Sequence, residues 1–403
     1  MRTVIEEVGR WLGAGQPVVL ARVVEVVGSG VQPAGAAIAV TDDEVVGSAS
    51  GGCVEGALVA EAREALAGDG RPRLRTFGCS DDEAFDVGLT CGGLVRVLIE
   101  RLDPRAQSGW VDELTQVLQS GTGAALVEVV DGPDELLGAK AIVLDGPSPD
   151  ANLVWPKGSP VFGPDVVSDA RLDLAAERSA PHTYEVLLRQ QRAALTLFVD
   201  SFAAPPEMLV VGAASFTAAL TAQAKLLGYH VVVCDARAVF ASPARFPLAD
   251  EVVVDWPDRY LERSGARLGP RDAICVLTHD PKFDLPTIMA ALATRAGYIG
   301  VMGSRRTQED RRRRLQEAGV TGAELARLRG PIGLDLGANS PEETAVSIAA
   351  EIIAMRRGHS GGSLAATSGP IHSGNGRPAR PGIPDAAPLT GQLPDSGGVH
   401  EHP

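Results

Sequence analysis

Aromatic residues make up only 4% of the 403-residue chain, and its five cysteines are scattered without a CxxC pair. That odd, unpaired set indicates neither a disulfide framework nor a structural zinc site. Positive charge is also short. Lys and Arg number 37 against 51 Asp and Glu, a net charge of −14, which argues against non-specific nucleic-acid binding and against an anionic membrane surface. No apolar run approaches a membrane span, and the opening Met1 to Glu7 lacks the apolar core of a secretory signal. The expectation is a cytoplasmic protein with reduced thiols, no nucleic-acid partner and no membrane partner. With 45% hydrophobic and 22% charged residues, the chain has material for two or three globular cores.

What is present is organised around a cysteine. Glu44-Val45-Val46 reads as a strand and Ala57 to Leu66 as a helix, and between them stand Ser50, Gly51, Gly52, Cys53 and Glu55. Glycines let the backbone approach a bound group closely, and amides at a helix start suit an anion and lower a thiol's pKa. The plain alternative is a small-residue turn around a buried cysteine. A second glycine-flanked thiol follows: Gly88-Leu89-Thr90 precedes Cys91, Gly92 and Gly93, then a strand-like run from Leu94 to Glu100. Between the two, Ser80 to Glu83 reads as a solvated helix start or N-cap, since soft thiols and hard carboxylates rarely share a metal. Cys79, beside that acidic run, reads as incidental.

Thr3 to Gly13 has Val4, Val8, Trp11 and Leu12 on one helical face, and Pro17 to Val27 reads as a strand covered on both sides, interrupted by Arg22 and Glu25. The middle third repeats this plan without the cysteines. Val24-Glu25-Val26-Val27 matches Val127-Glu128-Val129-Val130, Gly35-Ala36 matches Gly138-Ala139, and Val40 falls opposite Val143. Trp110 to Leu118 stands before the second copy as Val4 to Leu12 stands before the first. Leu174 to Arg178 and Tyr184 to Val199 are expected to supply the equivalent helix and strands. A duplication of this kind predicts two similar lobes that share one sheet or face each other.

Ala203-Ala204-Pro205-Pro206 is the clearest linker. Beyond it, a strand at Met208 to Val211, a turn at Gly212, a helix to Leu227 and a strand ending in Asp235 follow the dinucleotide-binding plan, with the acidic residue about 20 residues on. Ala214 and Thr217 replace the later glycines of that fingerprint and narrow the approach to a pyrophosphate. Further strands end in Thr278-His279-Asp280 and in Gly303-Ser304-Arg305-Arg306. In α/β proteins ligands sit at such carboxyl ends, and Arg305 with Arg306 suits a phosphate or carboxylate. The plainer alternative is a solvated basic turn before an Arg311-to-Arg314 helix. Ser340 and Pro341 open a final helix to Met355, and from Gly358 the composition predicts a disordered tail.

The Ser50-to-Glu55 and Gly88-to-Gly93 loops resemble the N-terminal module of the XdhC/CoxI family, maturation factors for xanthine and carbon monoxide dehydrogenases. Thr278-His279-Asp280, Gly303 to Arg306 and Pro331-Ile332-Gly333-Leu334-Asp335 resemble its Rossmann-like C-terminal module. The resemblance covers the chain up to about Arg357, the middle third only weakly; with the repeat and tail read above, the expectation is an α/β chain divided into a cysteine-loop module (1–104), a degenerate repeat (105–203), a Rossmann-like domain (204–357) and a disordered tail (358–403). The resemblance implies an accessory protein, more chaperone than enzyme. Such a protein binds molybdenum cofactor, as molybdopterin or its cytosine dinucleotide, and delivers it to an apo-molybdoenzyme, with sulfuration assisted by a cysteine desulfurase. Cys53 and Cys91 become the thiols that handle sulfur or lie near molybdenum. Ser50, Gly51, Gly52, Glu55, Gly92 and Gly93 become cofactor contacts, with Gly212, Asp235, His279, Ser304, Arg305 and Arg306 as the second set, where a nucleotide is also expected. A homodimer is implied by the family alone. The family commonly reads Gly-Ala-Gly-His where Gly212-Ala213-Ala214-Ser215 stands here, which weakens the case for a nucleotide at this turn. The alternatives are an NAD(P)-dependent oxidoreductase with His279 as acid/base and Asp235 on ribose, and a docking scaffold.

Overall fold

A computed structural model describes residues 1–27, 32–52, 54–68, 70–78, 93–104, 109–145, 153–154, 163–188, 191–278 and 280–368. The chain divides into two compact units, one from Met1 to Ala204 and one beginning at Pro205.

The first unit holds two copies of one arrangement. Copy one runs α1 (Arg2–Gly13), β1 (Val18–Val27), β2 (Ala37–Val40), β3 (Val45–Ser48), α2 (Glu55–Ala67), β4 (Arg73–Gly78) and β5 (Leu94–Leu102). Copy two runs α3 (Gly109–Gln119), β6 (Ala124–Asp131), β7 (Lys140–Leu144), β8 (Leu153–Val154), α4 (Pro164–Ala175), β9 (Ala180–Leu188) and β10 (Gln191–Phe202). The sheet orders, β3-β2-β1-β5-β4 and β8-β7-β6-β10-β9, are the same order. Each copy therefore has its own sheet rather than a share of one. All pairings in both sheets are antiparallel, so the covered strand β1 is not part of a parallel sheet. The helix equivalent to α2 begins well upstream of Leu174, where Pro164 takes the first helical position.

Period-2 alternation explains the double burial. On β1, Val19, Ala21 and Val23 pack with Leu58 and Ala62 of α2, while Val18 and Leu20 join Val8 and Trp11 of α1. That second core also takes Val111 and Leu114 of α3 and Leu126 of β6, so the inner faces of both copies share one interior. Val24, Leu98, Val130 and Phe198 extend it between the sheets. Arg22, an interruption of the strand in sequence terms, is 1% exposed and pairs with Glu128, which belongs to the other copy, and with Asp200 at 3.7 Å. Lys140 Nζ lies 2.6 Å from Glu100 and 2.7 Å from Glu128. Two cations and three carboxylates thus cross the interior. Burial, against the pull of Arg22, raises the Asp200 carboxyl above its usual range.

The second unit comprises β11 (Glu207–Val211), α5 (Ser215–Leu226), β12 (His230–Asp235), β13 (Glu251–Val254), α6 (Pro257–Ser264), β14 (Ala273–Val276), α7 (Pro281–Leu292), β15 (Tyr298–Val301), α8 (Arg305–Glu317), α9 (Gly322–Leu325), β16 (Leu328–Arg329) and α10 (Pro341–Arg357). Its six strands are parallel in the order β13-β12-β11-β14-β15-β16, a doubly wound sheet whose order reverses between β11 and β14. Helices α5 and α10 cover one face, and α6, α7 and α8 cover the other. Ser340 caps α10 by accepting from the Glu343 amide, and Gly358 closes it in the left-handed conformation. Of the tail expected from Gly358, residues up to 368 are described and include one helical turn at Leu364–Ala366. Among the described residues, no helix is long and apolar enough to cross a membrane.

Candidate functional site

The loop leaving β3 turns inward, with Ala49 at 1% and Ser50 at 2% exposure. One side chain organises it. The Glu55 carboxylate, on the first residue of α2, receives the Ser48 hydroxyl at 2.8 Å, the Ser50 amide at 2.9 Å, the Gly52 amide at 2.7 Å and the Ser50 hydroxyl. Ser48 Oγ in turn accepts from the Gly51 amide at 3.1 Å, and Ser50 Oγ from the Val54 amide at 2.9 Å. Gly51 and Gly52 have φ of +73° and +114°, a region that glycine enters without strain. The amides expected to stand open at the helix start are therefore engaged, and the anion they meet belongs to the chain itself. Partial burial works against ionisation of Glu55, but the bonds from the Ser50 side chain and backbone and from Ser48 outweigh it and hold its carboxyl down to about 2.

Cys53, Cys91 and Gly92 lie outside the described residues, as does the Ser80-to-Glu83 run. Gly93 is buried immediately before β5. Nothing in the sequence singles out Ser48. It sits at a strand end with no flanking pattern, and only the fold brings its hydroxyl to Glu55.

A second set of residues gathers at the carboxyl ends of the parallel strands. Gly212 has φ of +104°, and a Cβ there would lie 2.7 Å from the Thr278 side chain, so the loops after β11 and β14 meet at the point where the order reverses. The Gly212 amide donates to Cys234 O at 2.9 Å. The Ala213 amide goes to Asp235 at 2.8 Å and the Ala214 amide to Thr217 Oγ1 at 3.3 Å. A pyrophosphate would find this turn's amides in use. Asp235 also binds Arg237 through the backbone amide at 2.9 Å and the guanidinium at 2.9 and 2.7 Å. Burial opposes ionisation of Asp235, yet the Arg237 and Ala213 bonds keep its carboxyl below the usual range. His279 lies outside the described residues.

Ser304 accepts from the Thr307 amide at 3.2 Å and so caps α8, which places Arg305 and Arg306 in the first turn of that helix rather than in a free turn. Both are exposed, and among the described residues neither has an ion-pair partner. The N-terminus is the positive end of the helix macrodipole, so the charge of these two arginines adds to the positive potential there. Behind them, Arg311 and Asp284 form a buried pair at 2.7 Å, 5% and 4% exposed. Asp284 also accepts from Thr278, and Arg311 donates to Gln308 at 2.7 Å and Met302 O at 3.2 Å. This network joins the Thr278 loop to the Ser304 loop. Neither Asp284 nor Arg311 stands out in the sequence, where each reads as one more helix-surface charge. Among the described residues, no group of three or more His, Cys, Asp or Glu is placed to hold a metal ion.

Comparison with known proteins covers both sites. The XdhC and CoxI family description matches residues 11–78, and the XdhC Rossmann domain description matches residues 208–352. A Bacillus subtilis protein, named as a probable component of xanthine dehydrogenase, is 28% identical over 84% of this chain and 93% of its own length. The Escherichia coli molybdenum cofactor insertion chaperone PaoD is 25% identical over 88% of each chain. A crystal structure described as a xanthine dehydrogenase from Bacillus halodurans superposes with a TM-score of 0.66 at 25% identity, covering 90% of this chain and 97% of that one. With one family description on the thiol loop and another on the parallel sheet, this chain belongs to the XdhC/CoxI family.

Proposed function

We propose that this chain is a maturation factor that binds molybdenum cofactor and hands it to an apo-molybdoenzyme of the xanthine or carbon monoxide dehydrogenase type. The observation that carries the reading is the loop around Glu55, where several donors converge on one anion beside the position of Cys53. The names of two relatives that match most of the chain agree with it. The donor set fits the cargo. Hydroxyl and amide donors suit the pterin phosphate, and thiolate is a soft ligand suited to molybdenum or to sulfur transfer. Ser50, Gly51, Gly52 and Gly93 line the phosphate side with Gly92, while Cys53 and Cys91 supply the thiols, working with a cysteine desulfurase at the sulfuration step. Arg305 and Arg306, with Ser304, offer a second anion contact. The protein acts in the cytoplasm as a homodimer, by binding and handover rather than by turnover.

Oxidoreductase chemistry at the parallel sheet has less support, because Ala214 and Thr217 stand where the dinucleotide fingerprint has its later glycines. The test is the molybdenum and pterin content of protein purified from a cofactor-producing host, with Cys53→Ala and Cys91→Ala alongside. Stoichiometric molybdopterin, lost in either variant, is the expected result. A cofactor-free protein that binds NAD(P)H tightly would overturn the reading.

A further inference from the structure

We propose that the solvent face of α10, with α5 beside it, is the surface on which two copies of this chain meet, their α10 helices antiparallel across a two-fold axis at Ala350. For the existence of a dimer this rests on the reading above; the cofactor does not enter it.

The outer helices of the second unit present different faces to water. α8 exposes Arg305, Arg306, Glu309, Arg312, Arg313 and Glu317, the charged face usual for a helix over a core. α10 does not. Residues three and four apart share one side of a helix, and on α10 that spacing runs Glu343, Val346, Ala350, Ile353 and Arg357. Val346 is 46% and Ile353 40% exposed, while Ala345, Ile348 and Ile352 on the opposite side fill the core. Helix α5 packs alongside and adds Leu226, 81% exposed. Water thus meets an apolar centre with an acid at one end and a base at the other.

The order of these charges selects the occupant. A partner helix has to carry a base opposite Glu343, an acid opposite Arg357 and apolar side chains between them. α10 itself, reversed, meets all three requirements. Glu343 and Arg357 each stand seven residues from Ala350. A two-fold axis there sets Glu343 of either copy against Arg357 of the other and Val346 against Ile353, an isologous contact. Alanine on the axis lets the two backbones come close. Among the described residues, Arg357 has no ion-pair partner. Glu343 gives Oε2 to the Asn339 and Ser340 amides at 2.7 and 3.1 Å, which leaves Oε1 for a guanidinium. An acid at the start and a base at the end also complement the helix macrodipole, but that account says nothing of the uncharged face between them.

Sedimentation velocity of the full-length protein over a range of concentrations, with folding checked by circular dichroism, separates the two accounts. Glu343→Lys and Arg357→Glu each set like charges against one another twice per dimer, and each should weaken self-association about tenfold or more. Mixed one to one, the two variants regain opposite charges at both contacts, so a heterodimer of near wild-type affinity is the expected result. Damage confined to the cap or the dipole of one helix is not repaired by mixing. Ala350→Arg, on the axis, should also drive the protein to monomer while it stays folded. If either charge variant does not fold, Ala350→Arg decides alone. Dimers that survive all three substitutions, or charge variants that stay apart when mixed, would overturn this surface and leave the dimer reading standing. A wild type that is monomeric at every concentration would overturn both, whatever cofactor the monomer carries.

Discussion

Replacing Arg311 with methionine strands the Asp284 carboxylate inside the second unit, and the cost of doing so is calculable. Both side chains are at or below 5% exposure, so solvent screens the pair little. Removing one partner of a buried pair costs about 3–5 kcal/mol, chiefly because the other charge is left uncompensated. Only the Thr278 hydroxyl would remain to Asp284. The reverse change is milder. In Asp284→Asn the buried guanidinium also loses its counter-charge, but Arg311 keeps Gln308 at 2.7 Å and Met302 O at 3.2 Å, so the loss lies at the low end of that range, about 3 kcal/mol. In the double variant no uncompensated charge remains, and the total falls below the sum of the singles by about 2 kcal/mol. Scanning calorimetry reads these values as a shift of the second unit's transition, roughly 10 °C for Arg311→Met. If Arg311→Met costs under about 1 kcal/mol, or the two changes simply add, the pair does not join the loops as argued.

Three further outcomes follow from the same geometry. Cys234 and Cys275 are buried, with burial pushing the first thiol up to about 12 and the second higher. At pH 8 about one in 10⁴ of such a thiol is ionised against about a quarter of an ordinary one, so native alkylation should add at most three adducts to the five cysteines, and a fourth as fast as the rest would refute the burial. Asp200 is raised in the folded state, so wild type gains stability as pH falls through that raised value. Asp200→Asn, already neutral and able to bond Ser179, should therefore exceed wild type at neutral pH, with the difference closing on acidification. An equal difference at every pH in urea titrations would contradict this. Gly47→Ala places a Cβ 2.3 Å from Ala37 O at φ of +94°, and should cost about 3 kcal/mol and loosen β3. A loss below about 1 kcal/mol by urea unfolding would mean that the strand shifts freely.

Much of this architecture is local and therefore legible in the chain. Alternating Val, Ala and Ile specify strands, the 3.6-residue spacing of Val4, Val8, Trp11 and Leu12 specifies α1, and Ser340-Pro341 with Glu343 specifies a capped helix. The duplication is readable because both copies keep the same valine and glycine positions. The wound sheet is readable from its strand, turn and helix sequence. None of that depends on distant residues, since periodicity and capping act within a few positions.

Long-range pairing decided the rest. Arg22 looks like a flaw in a strand until Glu128 and Asp200 of the other copy arrive. Asp284 and Arg311, 27 residues apart, become one network only because β14 and β15 are neighbours in the sheet. The loop beside Cys53 reads in sequence as open amides awaiting an anion. Folding lets Glu55 reach back over Ser50 and Gly52, and nothing in the order of residues says that its carboxylate will take those amides. Composition and spacing determine which backbone segments form. Which polar groups satisfy one another depends on distances that exist only after packing, because each buried donor takes whichever acceptor the fold brings within reach.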